Sequence, residues 1–272
     1  MTLKRLAPLL GVLLLAALST GCNKLKARDQ LNKGVAAFRG AQFQQAIEHF
    51  KRAVDLDPTL LNARLYLATA YYQSYVPGGD SEDNIKTGKQ AIAAYEDVLS
   101  HNPDAEQQSS ALGSIANIYY NMKDFEKAKE LQERLVKLDP NNPDPYGWIG
   151  QLDWSICYPR RMKLRKDLKI ANPVDPAKPG ILPPLPEKAR AELAEENGPL
   201  VDEGIQALTK AVELRPNDVT SLSYLNLMYR EKADIEKDKA AREEDLNKAD
   251  DLTQKALAAM KQQQAAASTT TQ

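Results

Sequence analysis

Two stretches of the chain decide its fold: FQQAIEHFKRAVDLDP at residues 43–58 and FEKAKELQERLVKLDP at residues 125–140. In both stretches apolar residues recur at intervals of three and four, which places them on one face of an α-helix. Both end in an Asp-Pro pair, and a proline ends a helix because it lacks an amide hydrogen and clashes with the preceding turn. The two stretches are therefore predicted to be equivalent helices of a repeated unit.

The same spacing recurs along the chain. In most copies a small residue is followed by apolar residues one and two turns later, and the copy ends in a proline; Gln132 replaces the first apolar residue after Ala128. A first helix is predicted before each of these second helices, because Gly34 and Ala116 stand at equivalent places ahead of Ala46 and Ala128. The copies start at Ala46, Ala91, Ala128 and Gly204 and end at Pro58, Pro103, Pro140 and Pro216, and a degenerate copy without the proline starts at Ala249.

This pattern resembles the tetratricopeptide repeat (TPR), a pair of antiparallel helices with a period of about 34 residues. The early tryptophan of the family is missing throughout, but the resemblance covers about residues 29 to 257. It implies an all-α protein, an α-solenoid of about five helix hairpins, because each hairpin has to bury its apolar face against its neighbours.

The proline spacing also indicates an insert. Pro140 and Pro216 are more than two repeat periods apart, so we place an insert at residues 158–200. It begins with the basic run PRRMKLRKDLK and continues with six prolines, which exclude a helix there. A helix is predicted to resume after the prolines and to be broken or kinked near Pro199. We assign residues 29–258 to the solenoid and expect the polar tail, residues 259–272, to be flexible.

The first 21 residues are typical of a signal peptide. Lys4 and Arg5 precede an uncharged apolar stretch, residues 6–18, which is shorter than the ~20 residues that a membrane-spanning helix needs. The sequence STGC at residues 19–22 resembles the lipobox of bacterial lipoproteins, although a serine stands where the family has an aliphatic residue.

The lipobox resemblance implies that Cys22 is lipidated and becomes the N-terminus of a short tether, residues 22–28. Asn23 replaces the aspartate that retains many such proteins in the inner membrane, which favours the outer membrane. A plain secretory signal is the alternative.

Charge and composition exclude several classes of protein. The chain carries 36 basic and 37 acidic side chains, so it lacks the positive excess that nucleic-acid binding requires. Two cysteines exclude a zinc cage of four cysteines, and with two histidines a catalytic metal would depend on carboxylates, so we predict no metal site and no cofactor. The chain has no nucleophile elbow, zinc-protease motif or phosphate-binding loop, so we predict that it is not an enzyme.

In the TPR family, ligands lie along the concave face formed by the first helices. The resemblance therefore implies a groove of aromatic, amide and hydroxyl side chains that suits an extended peptide or a partner helix. The helical phase also places Met228 on this face. The alternative is that several of the aromatic side chains pack between helices. The predicted groove residues are Phe38, Thr69, Tyr72, Asn117, Tyr120, Asn121, Gln151 and Trp154.

These expectations predict a membrane-anchored scaffold of the bacterial cell envelope that binds envelope proteins and assists the assembly of a complex. The alternative function is a glycan-binding or small-ligand-binding module that stacks its ligand on the aromatic line. Two residues carry separate expectations. Asp153 occupies a core position and is expected to be solvated, or else paired with Arg160 and Arg161, and Cys157 is expected to be a buried structural thiol rather than a reactive one.

Overall fold

The computed structural model describes residues 22–170 and 182–270, with side chains through residue 268. The predicted signal peptide lies outside the described residues, as does the stretch 171–181 of the proline-rich part of the insert.

The described residues form ten α-helices and no β-strand, which confirms the predicted all-α fold of about five helix hairpins. We call the odd-numbered helices first helices and the even-numbered ones second helices. The helices are α1 (22–39), α2 (Phe43–Leu56), α3 (Leu61–Ser74), α4 (Glu82–Ser100), α5 (Ala105–Asn121), α6 (Phe125–Leu138), α7 (Pro143–Asp167), α8 (Glu187–Leu214), α9 (Val219–Ile235) and α10 (Lys239–Thr270).

The chain divides into two compact units, with the boundary between Met122 and Lys123. In unit 1, α3 packs against α2 and α4, and α4 packs against α5. In unit 2, α7 packs against α6, α8 and α9, and α9 also packs against α8 and α10. Within each unit, successive helices thus cover one another's apolar faces, as in TPR proteins.

Helix ends follow the predicted signals. α2 and α6 end one residue before the Asp-Pro pairs, with Asp57 and Asp139 as their last half-helical residues. Asp104 begins α5 with a capping box, in which its side chain and that of Gln107 each bond to the other residue's backbone amide. Proline stops and acidic caps therefore set the length of these repeats.

Two glycines allow close helix packing. A Cβ atom built on Gly34 would lie 2.4 Å from the ring of Phe50, and one on Gly150 would lie 2.3 Å from Leu208. The first contact joins α1 to α2 in unit 1, and the second joins α7 to α8 in unit 2. These are the close approaches that the family resemblance predicts for small residues.

Much of the segment 158–200 is helical. Residues 158–167 extend α7, and residues 187–200 form the first half of α8. α8 is not interrupted at Pro199, because Leu193, Asn197 and Val201 around it all point into the core. The predicted break at that proline is therefore wrong.

At the C-terminal end, α10 continues to Thr270 although the side chains of residues 261–268 are exposed. Among the residues that the structure describes, no helix is both long enough and apolar enough to span a bilayer.

Candidate binding surface and buried charges

A hydrogen-bonded polar line connects two first helices of unit 1. Tyr72 on α3 donates its hydroxyl to Asn117 Oδ1 on α5 over 3.0 Å. Asn121, one turn further along α5, donates its amide nitrogen to the Oδ1 of Asn117 at 3.1 Å and to its backbone oxygen at 2.7 Å. The side-chain oxygen of Asn117 therefore accepts two hydrogen bonds, which fix the orientation of the amide.

Tyr95 extends this polar line from the second helix α4. Its ring meets that of Tyr72 edge to face at 6.4 Å, and its hydroxyl lies 3.5 Å from the hydroxyl of Thr69. Burial and the neighbouring phenols of Tyr95 and Tyr75 raise the pKa of Tyr72. Tyr72 therefore stays a neutral hydrogen-bond donor at physiological pH.

The other predicted residues of unit 1 are placed differently. Phe38 packs edge to face against Phe43 at 5.4 Å, which joins α1 to the start of α2. Tyr120 is half-buried on α5 and interacts with other residues of the protein. The structure thus brings together Thr69, Tyr72, Asn117 and Asn121 among the predicted groove residues of this unit.

In unit 2 the aromatic side chains of the first helices cluster. Trp154 stacks on Tyr158 at 4.7 Å and meets Tyr224 of α9 edge to face at 5.5 Å. Both Trp154 and Tyr224 pack against the core of this unit, and Gln151 lies one turn before Trp154. Met228, expected on the same face, is fully buried. The alternative, that these side chains pack between helices, therefore applies to Met228 and to much of Trp154.

Sequence reasoning missed Tyr158 and Tyr224. Tyr158 lies in the segment that we set apart as an insert, so the repeat register did not reach it. Its spacing of four residues from Trp154 on a continuous helix was the available signal.

Asp153 is fully buried, so the expectation that it is solvated is wrong. Its partner is Lys129 of α6, at 3.0 Å, and neither Arg160 nor Arg161. Lys129 also reaches Glu203 of α8 at 3.0 Å, so one ammonium joins three successive helices. The second carboxylate oxygen of Asp153 has no hydrogen-bond partner in the part of the chain that the structure describes, and burial raises the pKa of this residue to about 7 against the effect of Lys129.

A second buried cluster lies between α7 and α9. Arg165, which is 0% exposed, donates two hydrogen bonds to Asp234, over 2.6 Å and 2.9 Å. Arg161 donates to the same carboxylate over 3.1 Å. Two arginines of the basic run at the start of the insert are therefore buried, because they pair with Asp234 in the last turn of α9.

Glu231 completes this cluster with poorer geometry. Its carboxylate lies 3.1 Å from Arg161 Nε without the alignment of a hydrogen bond, and both of its oxygens are buried without a hydrogen-bond partner among the described residues. Burial raises the pKa of Glu231 to about 7.

The same arginine cluster holds backbone on both sides of residues 171–181. Arg165 donates to the carbonyl oxygens of Ile170 and Pro183, over 3.4 Å and 2.8 Å. Arg242 of α10 donates to the carbonyl of Leu182 over 2.9 Å. The C-terminal end of α7 and the segment just before α8 are thus attached to the core of unit 2.

Cys157 is buried, and burial raises the pKa of its thiol to about 12, as expected for a structural cysteine. Cys22 is exposed. Within the described ranges, no group of three or more histidine, cysteine and acidic side chains is placed to hold a metal ion.

Comparisons with known proteins agree with this fold. The profile of the tetratricopeptide repeat family matches residues 30–60 and 109–142, so the chain contains TPR repeats. No curated protein matches the chain at a significant level.

Among solved structures, the chain is similar to the MamA protein, with 14% identity over 87% of this chain and 92% of that chain and a TM-score of 0.53. It is also similar to MamA from Desulfovibrio magneticus RS-1, with 16% identity, coverage of 84% and 96%, and a TM-score of 0.50. A third similar structure is YrrB, described as a TPR protein with an unusual peptide-binding site, with 15% identity, coverage of 85% and 90%, and a TM-score of 0.50. At these identities the likeness concerns the fold.

Proposed function

We propose that this protein is a lipid-anchored, non-enzymatic scaffold of the bacterial cell envelope that binds a peptide or a partner helix on its first helices. The TPR repeats support a role in protein binding, since repeats of this kind form extended surfaces for other chains. YrrB, which has a similar fold, is described as having a peptide-binding site. The sequence STGC, which ends at the exposed Cys22, supports the anchor.

The observation that carries the proposal is the Tyr72, Asn117 and Asn121 network of unit 1. The side-chain oxygen of Asn117 accepts from Tyr72 and Asn121, and its side-chain nitrogen donates to none of the described residues. The side-chain oxygen of Asn121 likewise accepts from none of them. A donor and an acceptor fixed one helical turn apart match the carbonyl and amide groups of a peptide backbone, which need partners when they leave water.

The glycan-binding alternative is weaker in this structure. Stacking of a sugar needs an open aromatic face, but Tyr158 covers one face of Trp154 and Tyr224 packs against it edge to face. The indole nitrogen of Trp154 is buried and has no hydrogen-bond partner among the described residues, so it is not presented to a ligand. We therefore favour the peptide ligand.

Selection from a displayed library of random twelve-residue peptides tests the binding site. We expect enriched peptides to bind the purified wild-type protein and to bind Asn117→Ala about tenfold more weakly, because one or two backbone hydrogen bonds are lost. Asn32→Ala, which changes an exposed asparagine on α1, is the matched control and leaves affinity unchanged. Enriched peptides that bind Asn117→Ala as well as wild type would place the ligand elsewhere.

Labelling with a radioactive fatty acid in the bacterial cell tests the anchor. We expect the wild-type protein to be labelled and to fractionate with the outer membrane, whereas Cys22→Ser loses both properties because the acceptor thiol is gone. Cys157→Ser is the control, since that buried thiol is no acceptor. Label that persists in Cys22→Ser contradicts the lipoprotein assignment without affecting the peptide site.

A further inference from the structure

The helix α1 begins at the residue that carries the proposed lipid anchor. Residues 22–28, expected to be a tether, form the first two turns of this helix, and Ala27 within them is fully buried. Because a helix rises about 1.5 Å per residue, every residue up to Arg28 lies within ~9 Å of Cys22 along the helix axis. Acyl chains attached to Cys22 therefore bring these two turns to the surface of the bilayer.

Leu25 is the apolar part of this end of α1. It is 72% exposed, the highest value among the large apolar side chains that the structure describes. Residues three and four positions apart share one face of a helix, so Leu25 and Lys26 lie on the face that carries Cys22. We define the α1 patch as the exposed residues Cys22, Lys24, Leu25, Lys26 and Arg28.

The basic side chains of the α1 patch are available to a ligand. Lys24, Lys26 and Arg28 are exposed, and within the described ranges none of them forms an ion pair. Lys24 and Arg28 lie one turn apart, on the side of α1 towards the C-terminal end of α2. A hydrogen bond from Thr59 and the charges of these two residues lower the pKa of Asp57 there.

The carboxylates near the α1 patch do not cancel its charge. Asp29 is bonded to Lys33 over 2.7 Å, and Asp55 and Asp57 lie at the end of α2. With Lys33 included, four cations stand against these three carboxylates. Loss of the predicted signal peptide, which holds two basic and no acidic residues, changes the net charge of the chain from -1 to -3. An anionic membrane therefore repels the protein as a whole and attracts this end.

From this placement we propose that the α1 patch docks on the anionic headgroups of phospholipids and orients unit 1 on the membrane. Leu25 enters the apolar interface beside the acyl chains of Cys22, and the three basic side chains contact the lipid phosphates. The inference rests on the proposed lipid anchor, because one leucine and a small charge excess are too weak to hold a protein on a bilayer by themselves. Acyl chains combined with a basic patch give stable attachment.

Chemical anchoring of the purified chain, residues 22–272, tests the docking without any cellular lipidation. Cys22 is coupled at neutral pH to a maleimide lipid in vesicles of phosphatidylethanolamine and the anionic lipid phosphatidylglycerol. Cys157 stays unreacted because it is buried and its thiol has a raised pKa. The coupling supplies the anchor, so the measurement concerns the α1 patch alone.

A tryptophan introduced into α1 reports insertion, because brominated acyl chains quench only indoles that reach the bilayer interior. We expect a blue shift and quenching in Leu25→Trp. Asn32→Trp, at an exposed position two turns further along the same face of α1, is the matched control. It should be quenched no more than the two native tryptophans in the coupled wild-type protein.

The headgroup charge is tested in the Leu25→Trp background. We expect the ratio of docked to undocked protein, measured from the quenched fraction of the introduced indole, to fall about tenfold when phosphatidylcholine replaces phosphatidylglycerol. A similar fall is expected in the triple variant Lys24→Gln, Lys26→Gln and Arg28→Gln. The matched control replaces three exposed lysines of α10 and should keep the original ratio: Lys239→Gln, Lys255→Gln and Lys261→Gln. Retained helical circular dichroism confirms that both triple variants fold.

Several results would overturn the proposal. They are an unquenched indole in coupled Leu25→Trp, equal quenching in Asn32→Trp, and equal docking on anionic and zwitterionic vesicles. A blue shift of Leu25→Trp that grows with protein concentration in the absence of vesicles would assign the α1 patch to a second copy of the chain. Absence of fatty-acid label on Cys22 in the cell instead contradicts the proposed anchor, so the two failures are distinguishable.

Discussion

The two units of the chain differ in where their polar and charged side chains lie. In unit 1, the described residues that are buried are apolar, aromatic or glycine, and the polar groups bond to one another in half-buried positions, as Tyr72 and Asn117 do. In unit 2, charged side chains enter the core, among them Asp153, Arg165 and Asp234. The same repeat is thus built around an apolar core in unit 1 and around a core that includes ion pairs in unit 2.

Helix length explains the arginine cluster of unit 2. α3 has 14 residues and α5 has 17, whereas α7 has 25 and α8 has 28. The extra turns of α7 reach beyond the regular hairpin, and Arg161 and Arg165 lie on them. Ion pairs with strict geometry specify one arrangement of such an extension, where apolar contacts alone would allow several.

The largest effect is expected at the arginine cluster of unit 2. Asp234→Ala leaves the fully buried Arg165 without its carboxylate, and we expect a loss of about 3 to 5 kcal/mol in the free energy of unfolding. Urea unfolding followed by circular dichroism measures it. Asp202→Ala, which removes an exposed aspartate from α8, is the control. If both variants unfold at the same urea concentration, the cluster does not stabilise unit 2.

The next largest effect concerns Asp153. Its pKa of about 7 in the folded state lies above its ordinary value of 3.8, so the folded protein binds the proton more tightly than the unfolded chain does. The associated stability is present at low pH and is lost as the pH rises from about 4 to about 7.

Asp153→Asn keeps the shape of the side chain and removes the charge. We expect the free energy of unfolding at pH 8 to increase by about 2 to 4 kcal/mol, with a smaller gain at pH 5. Urea unfolding at both values gives the comparison, and Asp251→Asn at an exposed position of α10 serves as the control. A loss of stability at pH 8 would mean that the bond to Lys129 outweighs the burial of the charge.

Two glycines of unit 1 test how closely its apolar helices pack. Gly34→Ala places a methyl group within 2.4 Å of the Phe50 ring and should destabilise by about 1 to 3 kcal/mol. Gly113→Ala, also on a first helix, meets nothing within 4 Å and should stabilise by about 0.5 to 1 kcal/mol. Thermal unfolding of the two variants should therefore shift in opposite directions, and an unchanged or higher unfolding temperature of Gly34→Ala would show that α1 does not pack closely on α2.

The smallest effect is expected for Tyr72→Phe. It removes the hydrogen bond to Asn117 from a half-buried site that water can reach, so the expected loss is about 1 kcal/mol or less. The amide proton signals of the Asn117 side chain should broaden or move in NMR spectra, because its orientation is no longer fixed. Unchanged amide signals would show that Asn121 alone holds Asn117.

The repeat could be predicted from the sequence because its signals are local. Small residues such as Ala46 and Ala128, and stops such as Pro58 and Pro140, act within one hairpin and recur at a fixed spacing. They identify the all-α fold and the helices that carry Tyr72 and Asn117, although the role of these side chains as a binding site stays a prediction.

The buried charges of unit 2 could not be predicted in the same way. Arg165 and Asp234 are far apart in the sequence, and their pairing depends on how α7 and α9 pack. Lys129 and Asp153 belong to different repeats, and a lysine on an amphipathic helix is normally solvated. The helix α8 continues through Pro199 because the tertiary packing of the residues around it outweighs the local helix-breaking propensity of proline.

The attachment of Ile170 and Pro183 to one guanidinium has a consequence for protein engineering. Arg165 bonds to the chain both at Ile170 and at Pro183, so one side chain holds the end of α7 and the approach to α8. A circular permutant with new termini between these two residues would keep both new ends bonded to the same guanidinium.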